Sequence, residues 1–252
     1  MFIMFIVEDN IKVFQTSKLA GYEAGKDIEN KIVELQKEKE YIRIIFAAAP
    51  SQDYMLEYLR NSQKIDWSRV VAFNMDEYIG LDSQSPALFS SFLNERLFTK
   101  VPFKEVNLID PSRGVEEEIE RISSLIDVEP IDIVCLGIGQ NGHLAFNDPP
   151  VADFNDPAVV KEVELDYSCK EQQVIDGCFS RIEDVPKTAI TLTIPTLLSA
   201  KYLFCVVLGT HKSRAVEQTL KGKLSTEWPS TILRNHHGCI FYFDQDAYSR
   251  VN

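Results

Sequence analysis

Short apolar blocks alternate with longer amphipathic stretches along the chain. The blocks FIMFIV (2–7), YIRIIFAA (41–48), RVVAFNM (69–75), IDIVCLGI (131–138), AITLTI (189–194), YLFCVVLG (202–209) and CIFYFD (239–244) are rich in Val, Ile, Leu and Phe. Runs with so little polar alternation predict strands covered on both faces. Helix-like segments lie between them. The first runs from about Asn10, read as its N-cap, to about Lys39. The others are SQDYMLEYLRN (51–61), ALFSSFLNERLF (87–98), GVEEEIERISSLI (114–126) and HKSRAVEQTLKG (211–222). Alternating strand and helix predicts an α/β fold: a mostly parallel, doubly wound, Rossmann-like sheet of about seven strands with helices on both faces. No repeat, low-complexity tract or Pro/Gly linker divides residues 1–252, so one domain is expected. The longest weakly patterned section, about 148–187, reads as a flap or excursion beside a site.

Ligands of open α/β sheets sit beyond the carboxyl ends of the strands. Three predicted strands run out there into unusual polar segments: AAAPSQD (47–53), NMDEYIG (74–80) and GIGQNGHLAFNDPP (137–150). In the second, Asp76 and Glu77 suit either a cap or salt bridge, or a base whose pKa burial would raise. Nothing in the residues ranks one above the other. The third segment has the form GxGxxG, a weak dinucleotide signal that here lies mid-chain and runs straight into His143. His143 and Asp148 would make an imidazole–carboxylate pair suited to proton transfer, or a turn histidine beside a capping acid. In the first segment, Ser51 and the backbone N–H groups around it open a helix. They would make an anion site or an ordinary cap. Lys212 also opens a helix, where the dipole gives it nothing, so anion binding gains weight. His211, His236 and His237 have no metal-ligand spacing and are assigned surface or structural roles; the two tryptophans are assigned to packing.

Composition narrows the field. The chain is 45% hydrophobic, enough for a substantial core, and its longest apolar runs fall well short of a membrane span. The opening MFIMFIVEDN lacks a basic region and a small-residue cleavage site, so a first strand is expected and not a signal peptide. Five scattered cysteines without a CxxC pair suit reduced thiols in a cytoplasmic protein. A net charge of −12 argues against nucleic-acid binding, but leaves room for an anionic small molecule in a locally positive pocket.

The ordered motifs FNMDEYIGL and GIGQNGHLAFNDP, followed by VPKTAITLTIPTLL and VVLGTHKS, resemble the glucosamine-6-phosphate deaminase (isomerase) family along nearly the whole chain. The related 6-phosphogluconolactonases share the fold and a similar glycine–histidine loop, but lack the NMDEY context and the AFN after the histidine. The resemblance implies a cofactor-free and metal-free conversion of a 2-amino-2-deoxyhexose 6-phosphate to a ketose 6-phosphate and ammonia. It also leaves a homo-oligomer open. By position it makes Asp76 the base that moves a proton between C2 and C1. It gives His143 the ring-opening step, oriented by Asn141 and Asp148. Lys212 would hold the phosphate together with the loop around Ala48, Ala49 and Ser51. The chain departs from the family at several of these positions. Asn141 stands where aspartate is usual. Asp148 replaces a glutamate, and the shorter arm is expected to reach the ring through water. The TGGT-type phosphate loop is here AAPS (48–51), whose Pro50 removes one N–H. A phosphate-binding arginine aligns near Gln173. Galactosamine 6-phosphate fits the same mechanism as glucosamine 6-phosphate. The alternatives are a sugar-lactone hydrolase and a non-catalytic sugar-phosphate binder.

Overall fold

The computed structural model describes residues 10–251 except residue 176. The predicted strand at 2–7 lies outside the described residues. Ten strands and eight α-helices follow in chain order among these residues: β1 (Ile11–Phe14), α1 (Ser17–Leu35), β2 (Ile42–Phe46), α2 (Asp53–Arg60), β3 (Val70–Asn74), β4 (Asp76–Tyr78), α3 (Phe89–Leu93), β5 (Glu105–Asn107), α4 (Val115–Asp127), β6 (Ile133–Leu136), β7 (Val160–Glu164), α5 (Tyr167–Ile175), β8 (Thr188–Leu192), α6 (Ile194–Leu198), β9 (Tyr202–Val207), α7 (Ser213–Lys221), β10 (Cys239–Asp244) and α8 (Gln245–Tyr248). Seven strands form one sheet in the order β1-β10-β9-β6-β2-β3-β5. All its pairings are parallel.

The continuous apolar character of the central strands follows from burial on both faces. In β2, Ile42, Ile44 and Phe46 pack with Ala24 and Ile28 of α1 and with Met55 and Leu59 of α2. Ile45 points the other way, into a second cluster with Ile122 and Ile126 of α4 and Val216 of α7. Such fully buried side chains each contribute about 1.5–3 kcal/mol. Arg43 on that second face stays buried because its guanidinium donates to the Leu125 and Ile126 carbonyls that end α4. Among the described residues no helix is long and apolar enough to cross a membrane.

Three expectations need correction. The chain from Asn10 does not start a helix: Ile11–Phe14 is an edge strand, and α1 starts later, capped by the Thr16 hydroxyl accepting from the Leu19 N–H at 3.2 Å. The block at 189–194 leaves the parallel sheet. The strand it falls in, Thr188–Leu192, is the centre of a separate antiparallel sheet, β4-β8-β7. The weakly patterned section 148–187 supplies β7 and α5 and packs through Val163, Leu165 and Cys169 against Tyr78, Phe89 and Phe146. Its strand, VKEVE, buries only Val160 and Val163 and leaves Glu162 and Glu164 exposed. That is the signature of a half-solvated antiparallel strand, which a search for apolar blocks passes over.

Candidate active site

A cavity of about 360 Å3 opens at the carboxyl ends of the parallel strands. The predicted residues Asp76 and His143 line it, as do Ser51, Gln173 and Lys212; Ala48 and Ala49 complete that wall. Asn141 and Asp148 are not in the lining. They stand behind His143.

The fold ranks the two adjacent acids. After β3, Asn74 pins the turn: its amide donates to the Asp76 carbonyl at 2.9 Å and its amide oxygen accepts from the Ile109 N–H at 2.9 Å. Successive side chains on β4 then point to opposite faces. Glu77 turns away from the cavity, where its carboxylate accepts N–H groups of Tyr78 at 3.1 Å, Phe89 at 3.0 Å and Ser90 at 2.8 Å, capping the start of α3. Asp76 faces the cavity, and its carboxylate makes no hydrogen bond to another described residue. Burial pushes its pKa well above the usual carboxylate range, helped by the charges of Glu77 and Asp148. A buried, unpaired carboxylate is a base waiting for a proton.

His143 sits in a turn built around two glycines. Gly142 takes φ +84, its N–H donating to the Gly139 carbonyl at 3.0 Å and its own carbonyl accepting from Ser230 N–H at 2.7 Å. Gly139 leaves space for the ring itself: a Cβ there would fall 2.3 Å from three atoms of the His143 imidazole. Nδ1 of the ring hydrogen-bonds Asp148 Oδ1 at 2.8 Å. The expected bridging water is therefore not needed, because the turn brings the shorter aspartate within direct reach. Asn141 acts on both partners: its amide donates to the same Asp148 oxygen at 2.8 Å and its Oδ1 accepts the His143 backbone N–H at 3.1 Å. Burial works to raise the Asp148 carboxyl, but His143, Asn141 and Cys169 outweigh it and hold the group below the usual range. Downstream, Asn147 donates to the Leu144 and Leu192 carbonyls at 2.8 Å each, and the Phe146 N–H reaches Thr191 Oγ1 at 3.1 Å.

Ser51 and Lys212 add a hydroxyl and a cation to the lining. A 3-10 turn at Pro50–Gln52 leads into α2. The Gln52 amide donates to Ser51 Oγ at 2.9 Å and to the Val206 carbonyl at 3.2 Å, fixing the serine against β9. After β9, Gly209 turns with φ +89 and gives its N–H to the Asp244 carboxylate at 3.0 Å. That turn presents Lys212, buried with 6% exposure, to the cavity. His211, exposed as its surface assignment expects, lines the cavity as well. The signal was available: His211 lies in the same type of segment, directly after a buried strand, as the three polar segments that were singled out. His236 matches its structural assignment, its Nε2 lying 2.8 Å from the Ala200 carbonyl oxygen.

Among the described residues, one group has the donors and proximity of a metal site: atoms of His143, Asp148 and Cys169 lie within 4.8 Å of one another. The 2.8 Å between Nδ1 and Oδ1 is a hydrogen-bond length. Two ligands of a tetrahedral zinc at about 2.0–2.1 Å each would stand roughly 3.3 Å apart. The pair is set to share a proton.

Residues 15–242 match the family described as glucosamine-6-phosphate isomerases/6-phosphogluconolactonase. The chain belongs to this family. Within it, the chain is 34% identical over 241 residues to a glucosamine-6-phosphate deaminase of Bacillus cereus (strain B4264), covering 95% of this chain and 88% of the relative. The same identity and coverage hold for a glucosamine-6-phosphate deaminase of Bacillus thuringiensis (strain Al Hakam). Among solved structures, a monomeric glucosamine-6-phosphate deaminase superposes with a TM-score of 0.85 at 26% identity, over 95% of this chain and 99% of that one. A 6-phosphogluconolactonase from Thermotoga maritima shares the fold, with a TM-score of 0.73 at 22% identity over 93% and 98% of the two chains.

Proposed function

We propose that this chain is a glucosamine-6-phosphate deaminase-type enzyme, acting as one domain on a 2-amino-2-deoxyhexose 6-phosphate. The observation that carries the reading is the pairing, in one cavity, of an unpaired buried carboxylate, Asp76, with an imidazole backed by Asp148. A lactone hydrolase has use for the second group but none for a carbon-acid base.

The steps balance with these groups and the substrate's own ammonium. His143 takes the proton from the anomeric hydroxyl through Nε2 and gives it to the ring oxygen, opening the sugar to its aldehyde. Asp76 then removes the C2 hydrogen as a proton, and the substrate's ammonium passes one of its protons to O1, leaving a C1=C2 enolamine. The same carboxyl returns the proton to C1, which leaves an imine at C2. Water adds to the imine and the C–N bond breaks, giving a ketose 6-phosphate and ammonia. Lys212, Ser51 and the amides of Ala48 and Ala49 hold the phosphate, with Gln173 beside them. Lys212→Met removes the charged donor, worth about 1.5–3 kcal/mol. It should raise KM at least tenfold with a much smaller change in kcat, as steady-state kinetics would read.

Ammonia release is measured over the 6-phosphates of glucosamine, galactosamine and mannosamine and their N-acetyl forms. Release from a free-amino substrate supports the proposal and names the epimer. No release from any of them, together with lactone hydrolysis that survives Asp76→Asn, overturns it in favour of the lactonase. Melting shifts without turnover on the same panel would make the chain a sugar-phosphate binder.

A further inference from the structure

Behind the His143–Asp148 pair lies a thiol that the proposed chemistry leaves unused. Cys169, on α5, has no solvent exposure, and its sulfur lies with the His143 nitrogen and an Asp148 oxygen inside a 4.8 Å cluster. Asp148 is also fully buried. Its two oxygens are treated very differently. Oδ1 takes hydrogen bonds from both the His143 ring and the Asn141 amide at 2.8 Å, while Oδ2 is buried with no hydrogen-bond partner among the described residues in this geometry. A buried carboxylate oxygen left bare costs free energy. The thiol stays protonated, since burial first and the nearby carboxylates second push it well above its usual range. A protonated thiol beside a bare carboxylate oxygen can act only as a donor, and its hydrogen rotates freely about the C–S bond.

We propose that Cys169 is a positioning residue: its S–H donates to the Asp148 carboxylate and steadies its plane, so that Oδ1 stays aimed at the imidazole. Asn141 and Cys169 then hold Asp148 together, and the ring of His143 inherits its orientation from them. The inference rests on the deaminase reading for its kinetic consequence, but not for its structural one.

Two variants test it, Cys169→Ala and Cys169→Ser, each followed by turnover and by the proton NMR signal of the His143 Nδ1–H. Cys169→Ala should lower kcat about five- to twentyfold, the scale of one lost hydrogen bond, with KM unchanged, and should move or broaden the Nδ1–H signal. Cys169→Ser, which keeps a donor, should restore both most of the way. If Cys169→Ala leaves the NMR signal and kcat as in the wild type, or if serine is as damaging as alanine in both readouts, the assignment is wrong and the thiol is packing alone. Should the wild type release no ammonia, the deaminase reading fails by itself. The NMR comparison still decides the role of Cys169.

Discussion

Asp76→Asn should cut ammonia release by about 10²–10⁴-fold and, in the same protein, raise the melting temperature. The two effects have one cause. The Asp76 carboxylate is buried, without a hydrogen bond from a described residue, and beside the charges of Glu77 and Asp148. The fold therefore favours its protonated form. A group with a raised folded pKa contributes stability that is complete below its unfolded pKa and is lost as pH rises through the folded value. At neutral pH the wild type bears the cost of either ionising this group or keeping it protonated, and the neutral amide bears neither. Relieving it is worth about 1–3 kcal/mol, at about 2–4 °C per kcal/mol for a chain of this size. The gap between variant and wild type should widen from acid to neutral pH in thermal melts. The acid limb of kcat/KM should also lie above the ordinary carboxylate range, because the base works only when ionised. An Asn variant that melts below the wild type at neutral pH would remove the argument that this carboxylate is held under strain.

Gly139→Ala should act in the opposite direction on stability and the same direction on turnover. The added methyl would stand 2.3 Å from the His143 ring, so the ring must swing away and the 2.8 Å contact to Asp148 must break. Misplacing a proton-transfer group by about 1 Å costs roughly 10²-fold in rate, and forcing extra volume into a packed turn costs about 1–3 kcal/mol. Steady-state kinetics with a melting curve read both. Because the methyl points at the ring and not at Lys212, binding of inorganic phosphate should be nearly unchanged. An alanine variant with wild-type turnover would mean that the imagined clash is absorbed and that ring placement does not limit the reaction.

The parallel core was legible because its strands are buried on both faces and show it in single file: Ile42–Phe46, Val70–Asn74, Ile133–Leu136, Tyr202–Val207 and Cys239–Asp244 all fall inside predicted apolar blocks. The polar segments after three of them led to the cavity, since side chains at strand ends have no other strand to pack on. Other elements hid for physical reasons. Ile11–Phe14 is an edge strand of only four residues, with Lys12 paired to Asp27. Asp76–Tyr78 is a strand of three residues that reads as a turn. The resemblance ranked Asp76 over Glu77, but the physical reason lay in the Phe89 and Ser90 amides, which come from a helix start more than ten residues downstream. The role of Gly139 was likewise hidden. A glycine's sequence neighbours say that the backbone is free to turn, and only the folded ring tells what occupies the space.

Strand β8 ties the two proton-handling groups together. Asp76 pairs across the ladder with Thr191, and the His143 loop is fastened to Thr191 and its neighbour, through Phe146 to Thr191 Oγ1 and through Asn147 to the Leu192 carbonyl. The gap between carboxylate and imidazole is thus gauged by a shared rail. The segment between Asp148 and β8 can change, at positions that touch neither the His143–Asp148 pair nor β8, without altering that gap. Novelty in what enters the cleft can then evolve at Gln172, Gln173 and Cys178, which line it, while Asp148 keeps the reacting pair in calibration.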